Sequence, residues 1–164
     1  MIRQQSTIIE DLSQSEEIII FNDMKVEQEN TIEFIYGLPG FETLTKFVIK
    51  DIEDYPPFKV LQSLEEPDIS MLILDIRLLK IREQIKISFG ELEKIGIYPD
   101  SLGENTEVYV ILKVNDKKQE LSANVKAPLV INTEKKIGGQ IILDDENLSV
   151  EYLLKEGLRL TDTN

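Results

Sequence analysis

The run TEVYVILKV, from Thr106 to Val114, is dominated by β-branched residues and carries no turn former, which makes it a strong strand. The rest of the chain leans the same way. It holds 23 Ile and 9 Val but only 2 Ala, Ala123 and Ala127, and Ala is the best helix former. Downstream of a polar turn at Asn115–Lys118, shorter strands are expected at Leu121–Val125, Leu129–Thr133 and Gln140–Leu143, with Gly138-Gly139 as a flexible joint. Upstream, Glu17–Phe21, Met24–Gln28 and Thr31–Tyr36 read as a meander of hairpins. Gly37-Leu38-Pro39-Gly40 breaks that pattern, and the two glycines supply positive φ on either side of a fixed-φ proline, which would return Phe34 and Phe41 to one core. Strands follow at Leu44–Lys50, Phe58–Leu64 and Ile69–Ile76, the last apolar enough to be central, and a strand end at Ile85–Ile87. Asp51–Pro57 is a loop, because Pro56 and Pro57 donate nothing to a ladder.

One place changes period. Ser88-Phe89-Gly90-Glu91 has the form of a capping box, so a short helix is expected over Glu91–Ile95, closed by Gly96. The tail from Leu148 suits a last strand or a short helix. The fold class that results is mainly β: a single-domain curled antiparallel sheet or small β-barrel with one short helix. Residues 1–16 are polar and aperiodic and read as a disordered N-terminal extension, leaving residues 17–160 as the β domain.

Composition narrows the chemistry. Among 164 residues there is no Cys and no His. Disulfides, zinc–thiolate sites, Cys nucleophiles, imidazole-ligated metals and Ser-His-Asp catalysis are all excluded. The net charge of −13 opposes direct binding to nucleic acid and to an anionic membrane, and it favours cationic partners. No apolar run approaches the length of a membrane span, and the start lacks the features of a signal peptide. With the missing cysteines, this reads as a cytoplasmic protein.

Two groups of acids could in principle do chemistry. Asp51, Glu53, Asp54, Glu65, Glu66 and Asp68 lie close in sequence, but their spacing matches neither a carboxylate pair nor a calcium loop. Asp144-Asp145-Glu146 reads as a turn. Gly37-x-x-Gly40 and Gly138-Gly139 lack the Lys-Ser/Thr and the helix of a phosphate loop. No catalytic residue, cofactor or metal is expected, and the residues alone point to a non-enzymatic binding domain.

Four blocks stand in order: Glu33-Phe34-x-x-Gly37-Leu38-Pro39-Gly40-Phe41-Glu42, Pro57-Phe58-x-x-Leu61-Gln62-Ser63-Leu64-Glu65-Glu66-Pro67-Asp68-Ile69, Ser122–Asn132 (SANVKAPLVIN) and Gly138–Leu143 (GGQIIL). Together they resemble the signature of the bacterial flagellar assembly factor FliW family. Asp75-Ile76 departs from the Asp-Pro common in the family, and residues 1–16 lie outside the resemblance. The resemblance implies a cytoplasmic partner-switching protein. Such a protein binds newly made flagellin and antagonises CsrA, the small RNA-binding regulator that blocks flagellin translation. Flagellin level is thereby coupled to flagellin synthesis; the alternative is a flagellin-only chaperone or another non-enzymatic β module.

Partner helices need an apolar groove with a polar rim. The expected partner-binding residues are Phe58 and Leu61 as apolar contacts, Gln62 and Ser63 as hydrogen-bonding groups, and Glu65, Glu66 and Asp68 as a charged rim, joined by Asn124 and Lys126.

Overall fold

The computed structural model describes residues 30–98 and 105–157. Eight strands run in the order β1 (Ile32–Phe34), β2 (Lys46–Asp51), β3 (Lys59–Ser63), β4 (Ser70–Asp75), β5 (Thr106–Asn115), β6 (Glu120–Asn132), β7 (Ile137–Gln140) and β8 (Tyr152–Leu153). Helix α1 (Phe89–Lys94) lies between β4 and β5, and α2 (Leu154–Gly157) follows β8. The expected strands at Glu17–Phe21 and Met24–Gln28, like the extension 1–16, fall outside the described residues.

Neighbouring strands pair in the order β5-β4-β3-β2-β1-β7-β6, and β5 pairs with β6 to close a seven-stranded barrel. β8 adds to the outer end of β6 at Ser122 and Ala123. The sheet is mixed rather than antiparallel throughout: β1 and β7 are parallel, joined at Glu33–Ile137 and Phe34–Gly138. All other pairs are antiparallel.

Period-two alternation delivers two cores. Inward positions of six strands meet in one cluster of Ile32, Phe34, Phe47, Leu61, Ile73, Tyr109, Leu129 and Ile131. Phe34 and Phe47 anchor it with ring centroids 4.9 Å apart and planes tilted by 51°. The opposite positions Leu74, Val110, Leu112 and Val130 join a second cluster under α1 and the segment before β8, with Leu92, Ile95, Ile97, Leu143 and Leu154. β4, β5 and part of β6 are therefore buried on both faces, which is why ISMLILDI and YVIL read as nearly unbroken apolar runs.

One bulge interrupts β6. Tyr109 opposes Leu129, but two residues later Ile111 opposes Asn124, five residues away on β6. Three extra residues reset the parity, so Asn124 and Leu129 face the same side. Pro128 sits in this stretch, where it has no N–H to give the ladder. The two expected strands Leu121–Val125 and Leu129–Thr133 are thus the two paired halves of one long strand.

Gly138 and Gly139 form no joint. They lie inside β7, and a Cβ on Gly138 would come within 2.9 Å of the Phe34 ring while one on Gly139 would come within 2.7 Å of Ile95. The two layers close onto β7 because it has no side chains there. The strand expected at Gln140–Leu143 is shifted accordingly; Ile141 and Leu143 instead donate single bonds to the carbonyls of Pro128 and Lys126. Ile85–Ile87 makes no ladder and follows two 3-10 turns at Ile76–Leu78 and Lys80–Gln84.

The helix stands where its caps put it. The Ser88 hydroxyl accepts from the Glu91 N–H at 3.2 Å, and the Glu91 carboxylate accepts from the Ser88 N–H at 3.1 Å. At its far end Gly96 has φ +87°, with Ile97 N–H bonded to Leu92 O and Gly96 N–H to Glu93 O, a Schellman cap.

Candidate functional site

The segment Phe58–Asp68 folds as β3 and a tight connection to β4. Gln62 lies opposite Ser70, in ordinary antiparallel register. Its amide Nε2 donates to the carbonyls of Ser63 at 2.9 Å, Pro67 at 3.0 Å and Ile69 at 3.3 Å. The Ser63 hydroxyl accepts from the N–H groups of Glu65 and Glu66, at 3.2 and 3.0 Å. One oxygen of Glu65 accepts from the N–H groups of Thr45 and Lys46, at 2.7 and 3.1 Å. These three side chains tie the turn to itself and to the start of β2. Buried backbone polar groups must be satisfied somewhere, and here signature residues do it.

The apolar candidates do not form a groove. Leu61 is fully buried in the inner cluster, while Phe58 is half-buried against the outer one. Gln62 and Ser63 are buried too. Only Glu65, Glu66 and Asp68 are exposed, and of these Glu66 and Asp68 carry the free rim charge.

Asn124 and Lys126 lie elsewhere. Register places Lys59, Ile73, Ile111 and Asn124 in one row across β3, β4, β5 and β6. Three strand spacings of about 4.8 Å therefore separate Asn124 from the near end of the Phe58–Asp68 segment. Asn124 is half-buried, and its Oδ1 is closed off without a hydrogen-bond partner among the described residues. Lys126 is half-buried and donates from Nζ to the carbonyl of Asp145 at 3.0 Å. The expected site thus divides into a turn and a separate bulge.

A different exposed region surrounds the first block. Phe41 N–H donates to Leu38 O at 2.7 Å, with Pro39 next and Gly40 at φ +88°: a type II turn. Leu38 takes the core position, and Phe41, expected inside with Phe34, is 39% exposed. Leu38 and Leu44 fill the inner cluster at this end, which leaves Phe41 at the rim. Tyr36 is 66% and Ile35 46% exposed. Alternation from Phe34 accounts for Ile35, but β1 ends at Phe34 and the turn at Ile35-Tyr36 carries Tyr36 outward as well.

Between this turn and β7 lies a cleft of about 210 Å³, lined by Tyr36, Pro39, Ile95, Gln140 and the Gly138-Gly139 backbone, with Glu42 as the one charged residue among its lining. The Glu42 carboxylate accepts from the Gly40 N–H at 2.9 Å. That bond, with a second from its own N–H, holds Glu42 below the usual carboxylate range.

The electrostatics elsewhere are structural. Burial pushes the Tyr109 hydroxyl well above its ordinary pKa, helped by its 2.8 Å hydrogen bond to Glu107. Arg77 clasps Asp75 through Nε and Nη2 beside it. Among the described residues no group of three acidic side chains is placed to hold a metal ion, and no helix is long and apolar enough to cross a membrane.

Comparison with known proteins agrees with this architecture. Residues 17–154 match the family model described as FliW protein. The chain is 35% identical over 146 residues to the flagellar assembly factor FliW of Caldanaerobacter subterraneus subsp. tengcongensis, covering 85% of this chain and 91% of that protein. It is also 35% identical over 139 residues to the FliW of Caldicellulosiruptor saccharolyticus, covering 85% and 89%. A crystal structure of the flagellar assembly factor FliW superposes with a TM-score of 0.63 at 30% identity, over 77% of this chain and 86% of that one. A mixed seven-stranded barrel with one capped helix, a Gly-Leu-Pro-Gly turn and the family match over most of its length place this chain in the FliW family of flagellar assembly factors.

Proposed function

We propose that this chain is a cytoplasmic, non-enzymatic assembly factor that binds newly made flagellin and, when flagellin is scarce, CsrA. Occupation by flagellin then frees CsrA to repress flagellin translation. The observation that carries this reading is the family match from residue 17 to 154, over relatives named as flagellar assembly factors. Charge supports it: an RNA-binding regulator presents cations, and a chain of net charge −13 attracts them.

The exposed carboxylates Glu66 and Asp68 serve in this reading as the steering rim, standing on a frame built by Leu61, Gln62, Ser63 and Glu65, while Asn124 and Lys126 form a second contact region. Rim charges act mainly on the association rate. Reversing Glu66 and Asp68 to Lys should slow CsrA association by about tenfold at low salt, with the difference fading at high salt and the melting temperature unchanged. Glu65 is left out of that pair because its carboxylate also holds the backbone of Thr45 and Lys46.

The deciding experiment is a pull-down from cells with and without flagellin expression. The tagged chain should retain CsrA when flagellin is absent and exchange it for flagellin when it is present. Retention of flagellin but never CsrA would leave a flagellin-only chaperone. Retention of neither would overturn the reading.

A further inference from the structure

We infer that the outer edge of the chain from Gln140 to Leu143 takes up an added strand. Its occupant is an extended segment of a partner protein, rich in β-branched residues and carrying lysine or arginine about four residues apart. The inference deepens the proposed function, since it rests on reading the chain as a partner-binding protein.

The backbone leaves this edge open. β7 meets β1 only at Ile137 and Gly138, because β1 ends at Phe34. Past that point β6 alone holds the chain. Gly139 pairs with Val130, Ile141 N–H donates to Pro128 O at 2.9 Å, and Leu143 N–H donates to Lys126 O at 2.8 Å. Strand alternation turns the N–H and C=O groups of Gln140 and Ile142 the other way, into the column that β1 has left. Ile142 makes no backbone hydrogen bond among the described residues, and its side chain is exposed. Natural edges are blunted by proline or lysine, and Gly139–Leu143 carries neither. The backbone of Gly139 and Gln140 also lines the cleft beside Tyr36 and Pro39, which gives a second chain access to it. A helix has spent its own N–H and C=O groups, so only an extended segment can pair here.

Charge selects among occupants. Glu42 lines the cleft at the near end of this edge, and Asp144 stands exposed just past its far end. From Gln140 to Asp144 an extended chain rises about 13 Å, so bases four residues apart meet one acid at each end. A second copy of this chain would bring its own Glu42 and Asp144, within a net charge of −13. The chain's own residues 1–29 carry seven acids and two bases, and are disfavoured for the same reason.

The test uses the full chain and three synthetic nonapeptides of valine and threonine. One has lysine at its third and seventh positions, and another has glutamate there. The last is the lysine peptide N-methylated along its central residues, which keeps the side chains and removes the main-chain donors. Amide exchange at Gln140 and Ile142 should be fast in the free chain and at least about tenfold slower with the lysine peptide bound. The glutamate and N-methylated peptides should each bind at least about tenfold more weakly. Asp144→Lys should weaken the lysine peptide and strengthen the glutamate one, with the melting temperature unaltered. Equal affinity for the N-methylated peptide would mean that side chains alone dock, and would overturn the proposal. Slow exchange of Gln140 and Ile142 in the free chain would put another part of this chain on the edge, and would overturn it too. Strand capture by a chain that retains neither flagellin nor CsrA from cells would sink the partner-switching reading and leave the edge standing.

Discussion

Two turns carry the first two signature blocks, and they are built by opposite means. The turn at Leu38–Phe41 relies on backbone: two positive-φ glycines and a proline set the path, and apart from the Glu42 carboxylate its side chains are free of it. Tyr36 and Phe41 are consequently left at the surface. The turn at Ser63–Ile69 relies on side chains, with Gln62, Ser63 and Glu65 satisfying seven backbone groups between them. A motif rich in polar residues can therefore be inward-looking, and one rich in glycine can leave its aromatics at the surface.

That contrast breaks most readily at Gly37. Its φ is +63°, and a Cβ there would lie 2.5 Å from Phe41 O and 2.7 Å from the backbone of Glu42. Gly37→Ala should lose about 3 kcal/mol or more, because strain and a backbone clash combine. Gly40 has the same sign of φ but nothing within 4 Å of an added Cβ, so Gly40→Ala should lose only about 1–2 kcal/mol. Urea melts of the two variants measure the gap. Equal losses would mean that conformation alone, and not space, constrains the first turn.

The second turn is tested at Gln62. Gln62→Leu keeps the volume and removes the donor to three carbonyls, so it should destabilise by about 1–3 kcal/mol. A variant as stable as the parent would return Gln62 to the list of residues free to serve a partner.

The smallest effect concerns pH at the first turn. Glu42 is held below its ordinary value of 4.5, chiefly by the Gly40 N–H. A carboxylate depressed in the folded state contributes stability that is complete above 4.5 and disappears as pH falls through the lower folded value. Glu42→Gln should accordingly flatten the acid limb of the stability profile and leave the neutral region alone. A profile unchanged by that substitution would show the Gly40 contact to be idle.

The sequence made the architecture legible where local signals and tertiary packing agree. Runs such as TEVYVILKV are strands, Ser88 and Glu91 cap the helix, and Gly37 and Gly40 have the positive φ their turn demanded. The misreadings share a cause: each depended on what lies across from the residue. Gly138-Gly139 resembles a joint until Phe34 and Ile95 are found pressed against it. Leu61 resembles a contact residue until its strand is seen to point into the barrel. The parallel β1–β7 pair joins segments some hundred residues apart, beyond the reach of any local pattern. Asn124 looked adjacent to the second block only because both belong to the same signature.

The closure of the barrel governs the order in which it opens. β1 meets β7 over only two residue pairs, whereas β5 and β6 share nine. β4 and β5, buried on both faces, should exchange their amide protons only when the whole molecule unfolds. The short parallel seam should open at lower free energy, and β1 and the Tyr36–Glu42 turn should loosen with it while the opposite half stays shut. Hydrogen exchange should therefore divide the ring into a fast sector from Glu33 to Glu42 and a slow one centred on Ile73, Tyr109 and Leu112. The exposed aromatics Tyr36 and Phe41 belong to the fast sector, so anything that clamps them should be felt first as slowed exchange along that seam.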